Sequence, residues 1–327
     1  MKTVIFEGQL IAVTPIAVSP PKSNFPWEDS KRSPKRLPHF GNRKNALRYI
    51  PASTLRHVIR YHLARVVSEA CAAARPNPLS RAAILALAKG FFEGAQGAGA
   101  QNSRTWREAR ELEQRIRTGN PLFAMLGGWK MPSELRVGNA IPVLRENQFS
   151  ETPCEVRKEL ENDLVNGLAP DDLEAYSQLL DQHAAPGGQS AETEDAPDNG
   201  NGIKFLGQGW EEIIPGACDW SLHVERATEI KIGAVLAALR DFSAAPLIGG
   251  HLAVGRGEVA LQMEARSIDS VLFGSPQCAS LGTLALAAGV FEVTGTLGEN
   301  LAVFDALARQ GFPGWDFDLL PNQAGAA

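Results

Sequence analysis

The sequence predicts an α+β protein whose strands and helices follow the ferredoxin-like order. Segments with a strand period and segments with a helix period come in the order strand, helix, strand, strand, helix, strand. The composition is that of a globular domain, because 44% of the residues are hydrophobic and 21% are charged. At 327 residues, the chain is long enough for this frame to contain large insertions.

In the first half of the chain, one strand and one helix flank a long loop. Residues 4–14 alternate as a strand does, whereas residues 19–48 are rich in Pro, Lys and Arg and predict an exposed loop. Ser53 is predicted to cap a helix that runs to about residue 74. Its apolar face is formed by Leu55, Val58, Ile59, Leu63, Val66 and Val67.

A helical region comes next and leads into a second strand. Residues 79–118 are predicted to be helical with a loop at 94–102, and their charged stretch 106–117 predicts a surface helix with i,i+4 pairs. A short apolar element at 120–129 ends in a double-glycine turn. Residues 135–143 predict a strand.

The second half is predicted to complete the main domain after an acidic insertion. Residues 146–208 form that insertion, so residues 1–145 and 209–327 together make one domain. Thr228 is predicted to cap a helix over 229–244. The insertion is predicted to hold helices near 154–165 and 170–184 and a loop at 185–202. The other predicted elements are strands within 210–226, 252–264 and 283–296, and a helix at 299–309.

The charges are strongly polarised along the chain, although the formal net charge is only −5. Eleven Lys/Arg and two acids lie between residues 22 and 65, whereas thirteen acids and two bases lie between 151 and 198. A local basic cluster attracts a polyanion even on an acidic protein, because salt screens exposed charges over about 10 Å. A solvated loop without a ligand remains the alternative. The predicted phosphate-binding residues of this loop are Lys35, Arg36, Arg43, Lys44 and Arg48.

Several function classes are disfavoured by the sequence. No run of about 18 apolar residues occurs, so no membrane partner is expected. The six histidines form no metal-binding pattern, and no dinucleotide or P-loop glycine motif is present. We therefore predict no cofactor, no metal and no catalytic residue. The scattered cysteines favour reduced thiols in a cytoplasmic protein, and they are Cys71, Cys154, Cys218 and Cys278.

The most distinctive segment is a glycine-rich loop between a helix and a strand, within KIGAVLAALRDFSAAPLIGGHLAVGRGEV at residues 231–259. Glycine has no Cβ, so main-chain N–H groups there can approach a phosphodiester closely. A turn followed by a β-bulge would explain the same glycines without a ligand. The predicted binding residues are Gly249, Gly250, His251, Gly255 and Arg256.

A second candidate site is the helix start in IPASTLRHVIRYHLAR at residues 50–65. The N-terminus of a helix favours an anion through its N–H groups and its dipole. Arg56 and Arg60 are four residues apart and share a helix face, where each can hold a phosphate. Ser53 and Thr54 complete the predicted set. A plain helix cap with solvated arginines remains the alternative.

These two segments resemble the CRISPR-associated RAMP superfamily, and more narrowly the backbone subunit that coats the guide RNA in type III and type IV effector complexes. The helix start is similar to that family's Pro-Gly-Ser-Ser-Leu-Arg/Lys-Gly motif, with Ala52, Thr54 and His57 as departures. NPLFAMLGG at 120–128, EEIIPGA at 211–217 and IGGHLAVGRGEV at 248–259 also fall where the family has similar elements.

The resemblance implies an RNA-binding subunit without catalytic activity. Its RNA-recognition-motif-like core would be the palm, and the 146–208 insertion would be the thumb. Copies of the chain would form a helical filament along the guide RNA (crRNA) with other CRISPR effector subunits, and the guide would pair with target DNA or RNA. The changed helix start and the poor match to a catalytic aspartate motif favour type IV.

Three other functions stay open at this point. A type III-like subunit would cleave target RNA through a loop aspartate, for which Asp29 is the candidate. A guide-processing RAMP endoribonuclease would need a general base such as His39 or His57. A ferredoxin-like protein that binds a small molecule through the glycine loop would bind no RNA.

Overall fold

We describe the protein from a computed structural model. The structure describes residues 2–16, 49–90, 106–128, 131–143, 150–153, 210–214, 216–249, 256–269 and 277–317. Most of the predicted basic loop, the 94–102 break and the helices predicted within 154–184 lie outside these residues. The same holds for the predicted loop at 185–202.

A seven-stranded antiparallel sheet forms the centre of the molecule. Its strand order is β2-β6-β1-β7-β8-β9, and β3 pairs with β6 beside β2. A separate antiparallel ladder joins β4 to β5. The strands are β1 (Lys2–Ala12), β2 (Leu135–Val137), β3 (Ile141–Pro142), β4 (Ser150–Pro153), β5 (Trp210–Ile213), β6 (Ala217–Val224), β7 (Val259–Asp269), β8 (Gln277–Ala287) and β9 (Val290–Val293).

The described helices pack against one face of this sheet. Residues buried in the sheet alternate with exposed ones, as Leu261, Met263 and Ala265 do along β7. The opposite face exposes the polar side chains of Glu7, Gln262 and Glu264 beside the buried Ile5. The predicted α+β class is therefore confirmed. The helices are α1 (Ala52–Ala74), α2 (Arg81–Lys89), α3 (Trp106–Gly119), α4 (Pro121–Leu126), α5 (Glu229–Ser243) and α6 (Thr296–Arg309).

Helix α5 crosses the core and packs tightly on α6. A Cβ at Gly233 would lie 2.2 Å from the main-chain oxygen of Asn300, so only glycine fits this crossing. The predicted cap is confirmed, because the Thr228 side chain accepts from the N–H of Lys231. The i,i+4 pairs predicted for α3 are also present, between Arg107 and Glu111 for example.

Three sequence predictions about element boundaries are wrong. Ser53 does not cap α1: Pro51 is the N-cap, and the Ser53 side chain makes no capping bond. Residues 252–255 of the strand predicted at 252–264 lie outside the described part, and within that part the strand begins at Val259, two residues after Gly257 takes a positive φ of 88°. The predicted 135–143 strand is split into β2 and β3 by the irregular residues 138–140.

A buried ion-pair cluster closes one end of the sheet, which we call the closed end. The Glu134 carboxylate accepts from Lys231 Nζ at 2.6 Å, Arg117 Nη1 at 3.1 Å and Arg226 Nη1 at 3.4 Å. Only 8% of the Glu134 side chain and 9% of the Lys231 side chain are exposed. The glutamate thus joins α3, the start of α5 and the end of β6, and its own charge and that of Lys231 are removed from water.

Candidate nucleic-acid interface

The opposite end of the sheet, which we call the loop end, contains the C-terminal end of β1 and the first residues of β6 and β7. Ala12 pairs with Val259 of β7, and the Ala12 N–H donates to Gly216 at 3.0 Å. The chain continues past the strand here, because Ile16 pairs with Ile214 in an isolated bridge. Main-chain hydrogen bonds therefore hold the chain in place beyond β1 as far as Ile16, three residues before the predicted basic loop begins.

The glycine-rich loop leaves and re-enters the fold at this same end. The Ile248 N–H donates to Gly257 at 2.8 Å, and the Gly257 N–H donates to Pro15 at 3.1 Å. Gly249 has a positive φ of 96°, which L side chains rarely adopt, so glycine is required by the turn. Arg256 lies at the loop's far boundary and is half-buried. Gly250, His251 and Gly255 lie outside the described residues.

The start of helix α1 also lies at the loop end. Ile50 pairs with Ala140, just before β3, and β3 pairs with the first residues of β6. The first N–H of the helix, from Ala52, donates to the Asn139 side-chain oxygen at 2.8 Å. This side chain supplies the cap that the sequence assigned to Ser53, and its distance of 87 residues along the chain hid it from local pattern analysis.

Three segments predicted to bind phosphate thus begin or end within one small region. They are the basic loop, between Ile16 and Tyr49, the glycine-rich loop, between Gly249 and Arg256, and the start of α1. The side chains Lys35, Arg36, Arg43, Lys44 and Arg48 lie outside the described residues, and so do Asp29 and His39. Their roles stay predictions.

The prediction that Arg60 holds a phosphate is wrong for this conformation. Its side chain is buried, and Nε donates to Leu87 at 3.1 Å while Nη1 donates to Leu126 at 2.6 Å. Nη2 donates to the carbonyls of Ala86 and Gly127, both at 3.0 Å. Burial, with a smaller effect of the Arg56 charge, lowers the pKa of Arg60 to about 10. Arg60 therefore satisfies the C-terminal carbonyls of two helices.

The other residues of the helix start keep accessible surface. Ser53 is exposed and Thr54 is half-buried. Arg56 is half-buried, burial lowers its pKa, and one Nη2 bond to Leu126 at 3.1 Å holds it near the interior. The accessible positive charge at the start of α1 thus comes from Arg56 and the helix dipole. It does not come from Arg56 and Arg60 together, as the sequence predicted.

Sequence reasoning missed two further features of the loop end. Among the described residues, Val13 and Val143 are large hydrophobic side chains with 55% and 44% exposure. Both flank the points where the chain leaves the sheet. A single exposed valine is unremarkable in a sequence, so no local pattern marks them.

Comparison with family models and with curated proteins identifies no relative of the chain. No protein-family model matches the chain, and no curated protein is similar to it at a significant level. In the part of the chain that the structure describes, no helix is long and apolar enough to cross a bilayer. A search of those same residues finds no cluster of His, Cys, Asp or Glu that could hold a metal ion.

Proposed function

We propose that the chain is a guide-RNA-binding backbone subunit of a type IV CRISPR effector complex, in which it binds the RNA backbone without cleaving it. The observation that supports this proposal is the convergence at the loop end. The start of α1, the boundaries of the basic loop and the boundaries of the glycine-rich loop are joined there by main-chain hydrogen bonds.

The strand order supports the ferredoxin-like part of the proposal. If the two short strands β2 and β3 are counted as one, the frame runs β1, α1, β2/β3, β6, α5, β7 along the chain. Its order in the sheet is β7-β1-β6-β2, all antiparallel. This is the connection order of ferredoxin-like and RNA-recognition-motif domains.

The sheet itself is a poor surface for stacking RNA bases. The exposed side chains along the outer face include Glu7, Gln262 and Glu264, and the outward positions of β1, β6 and β7 hold no Phe, Tyr or Trp. RNA-recognition-motif domains use aromatic side chains at such positions to stack bases. Contact through loops at the sheet's end, directed at phosphates, is therefore the mode that we propose.

A backbone-binding mode suits a subunit whose sequence specificity comes from the guide. Contacts to phosphates position a nucleic acid but do not read its bases. Reading is then left to base pairing between guide and target. Each copy along the guide RNA would then need a surface that binds phosphates, and it would need no side chains that read the base sequence.

The test is to express the chain with a CRISPR array and its neighbouring genes and to identify the RNA that co-purifies with the assembly. We expect RNA of uniform length that contains spacer sequence, and binding that weakens steeply as salt rises. Replacing Arg43, Lys44 and Arg48 with Ala should lower the slope of log K against log salt by about 2, since each phosphate contact on a single strand contributes about 0.7.

A matched control removes the same charge from another surface. Arg107, Arg110 and Arg115 are exposed on α3, and their replacement with Ala should leave the salt slope unchanged. An assembly with every partner subunit present but no bound RNA would overturn the proposal. Equal losses of binding in the two triple variants would show that the loop has no special role.

A further inference from the structure

One exposed stripe of helix α1 combines aromatic rings with positive charge. Ser53, His57, Tyr61 and Arg65 follow at intervals of four residues, and all four are exposed. The stripe is about 18 Å long, because the helix rises 1.5 Å per residue. It starts at the loop end, where the Asn139 side chain accepts from the Ala52 N–H and holds the first turn of α1.

Tyr61 is the central residue of this stripe, and half of its side chain is accessible. Its exposure of 51% is high for an aromatic residue on a helix that packs against the core. The ring lies 6.3 Å from the His57 ring and 5.2 Å from the His62 ring, which it meets edge-on at 86°. The ring is thus fixed in place by its neighbours while a large part of it stays open.

A hydrogen-bonded support lies beneath the stripe. The His62 ring bonds through Nδ1 to Asp241 at 2.7 Å and packs edge-on against Phe242 of α5. Asp241 also accepts from Arg65 Nε at 2.8 Å and from its Nη2. This bidentate pairing fixes the guanidinium plane while 43% of the Arg65 side chain remains exposed.

The charge along the stripe favours an anionic partner. Residues 52–68 contain Arg56, Arg60 and Arg65 and no acidic residue. The carboxylate that contacts the stripe, Asp241 of α5, has both of its oxygens engaged by His62 and Arg65. The exposed carboxylate of Glu69 follows one turn after Arg65 and marks the end of the stripe. An exposed aromatic ring beside an arginine is typical of sites that bind single-stranded nucleic acid.

We propose that the bound RNA strand continues from the loop end along this stripe and that a base stacks on Tyr61, with His57 and Arg65 on either side. This inference rests on the proposed function and goes beyond it, because the contacts proposed at the loop end are to phosphates alone. Stacking tolerates any base, so it leaves sequence reading to the guide.

The test compares two ligands with the same phosphates, a single-stranded RNA and its abasic counterpart. Both are titrated against the full chain, together with the subunits that co-purify with it, by fluorescence anisotropy. Tyr61→Ala should weaken binding of the normal RNA by about 5- to 100-fold, the range expected for the loss of one stacked base. Tyr61→Phe should retain it, and neither variant should change binding of the abasic strand.

Each alternative outcome has a distinct meaning. Normal RNA binding by Tyr61→Ala would overturn the stacking surface and leave the proposed function intact. An equal loss on both ligands would also overturn it, since the ring would then act on the phosphates or the fold.

Loss of self-association with intact RNA binding would assign the stripe to a protein partner. Failure of the wild-type assembly to bind RNA would overturn the proposed function itself. Ile84→Ala, at an exposed apolar site on α2, is the control for surface truncation.

Discussion

The two ends of the central sheet are built in opposite ways. At the closed end, the buried carboxylate of Glu134 pairs with both Lys231 and Arg117 at hydrogen-bond distance. At the loop end, main-chain bonds hold the strands together, and Val13 and Val143 are left exposed. Buried ionic side chains thus distinguish the closed end, whereas main-chain hydrogen bonds and the Asn139 cap order the loop end. This difference predicts that substitutions at the closed end affect folding and that those at the loop end affect binding.

The largest expected effect is at the closed end. Glu134→Gln removes the charge that Lys231 needs, so a buried ammonium would be left with the carbonyl of Arg226 as its main partner. We expect a loss of about 3–5 kcal/mol in the free energy of unfolding, measured by urea denaturation. Glu113→Gln is the control, because its pair with Arg117 is part-exposed and should contribute less than about 1 kcal/mol. Similar losses for the two variants would show that burial of the cluster is unimportant.

The arginines of α1 allow the contrast to be tested within one helix. Arg60→Met removes four hydrogen bonds and leaves the carbonyls of Leu87 and Gly127 without this donor. The Ala86 carbonyl keeps the Gly90 N–H and the Leu126 carbonyl keeps Arg56, so we expect a loss of about 3 kcal/mol. Arg56→Met removes a single bond at a half-buried site and should cost about 1 kcal/mol. Urea denaturation measures both. If Arg60→Met were as stable as the wild type and bound RNA less tightly, the original phosphate-binding interpretation of Arg60 would be restored.

Acid should weaken the contact between α1 and α5 at His62. Burial lowers the pKa of this histidine below its usual 6.5, against the opposing effect of its bond to Asp241. The unfolded chain therefore takes up the proton at a higher pH than the folded chain does. Stability should fall as the pH drops below about 6.5, by no more than about 1.4 kcal/mol per pH unit. Thermal melts between pH 7 and pH 5 measure the slope, and His62→Gln should flatten it.

The titration of Asp241, the carboxylate bonded to His62, must be separated from this effect. Burial would raise the pKa of Asp241, but its bonds to Arg65 and His62 outweigh burial and lower it below the usual 3.8. Its stabilising contribution is present above pH 3.8 and is lost below that value. A slope between pH 7 and pH 5 that persists in His62→Gln would therefore contradict the assignment to the histidine.

The cap supplied by Asn139 gives a smaller effect at the loop end. Asn139→Ala removes the acceptor for the first N–H of α1 and should cost about 1 kcal/mol in a chemical unfolding experiment. Asn139→Asp keeps an acceptor and should retain stability. It also adds negative charge at the proposed phosphate-binding surface, so RNA binding should weaken there. Unchanged RNA affinity in this stable variant would place the RNA elsewhere.

The smallest expected effect is at the exposed valines. Val143→Ala should change the free energy of unfolding by no more than about 0.5 kcal/mol, because the side chain already contacts water. The matched change at the closed end, Val224→Ala, removes buried methyl groups and should cost about 2 kcal/mol. Thermal melts of the two variants make the comparison, and equal melting temperatures would remove the distinction between the two ends.

Local sequence patterns predicted most of the frame. The apolar spacing along α1 and the cap at Thr228 depend on residues within one or two turns, and both match the structure. The role of Arg60 could not be obtained in this way, because its four carbonyl partners lie 26 to 67 residues away. The cap from Asn139 could not be predicted for the same reason, because Asn139 lies 87 residues from Ala52 along the chain. The glycine motif at 248–257 predicted the position of a loop next to the sheet, but it did not predict what the loop binds.

Main-chain hydrogen bonds at the loop end join the two ends of each long loop, and this affects how the sequence of the chain can change during evolution. Val143 bonds to Ala217 on either side of the acidic insertion, and Ile248 bonds to Gly257 on either side of the glycine-rich loop. Closing a loop costs only about 0.6 kcal/mol more for each doubling of its length. The acidic insertion and the glycine-rich loop can therefore change in length and sequence during evolution while the strands stay in register. Surface loops can then change beyond detection by sequence comparison, long before the architecture itself is altered.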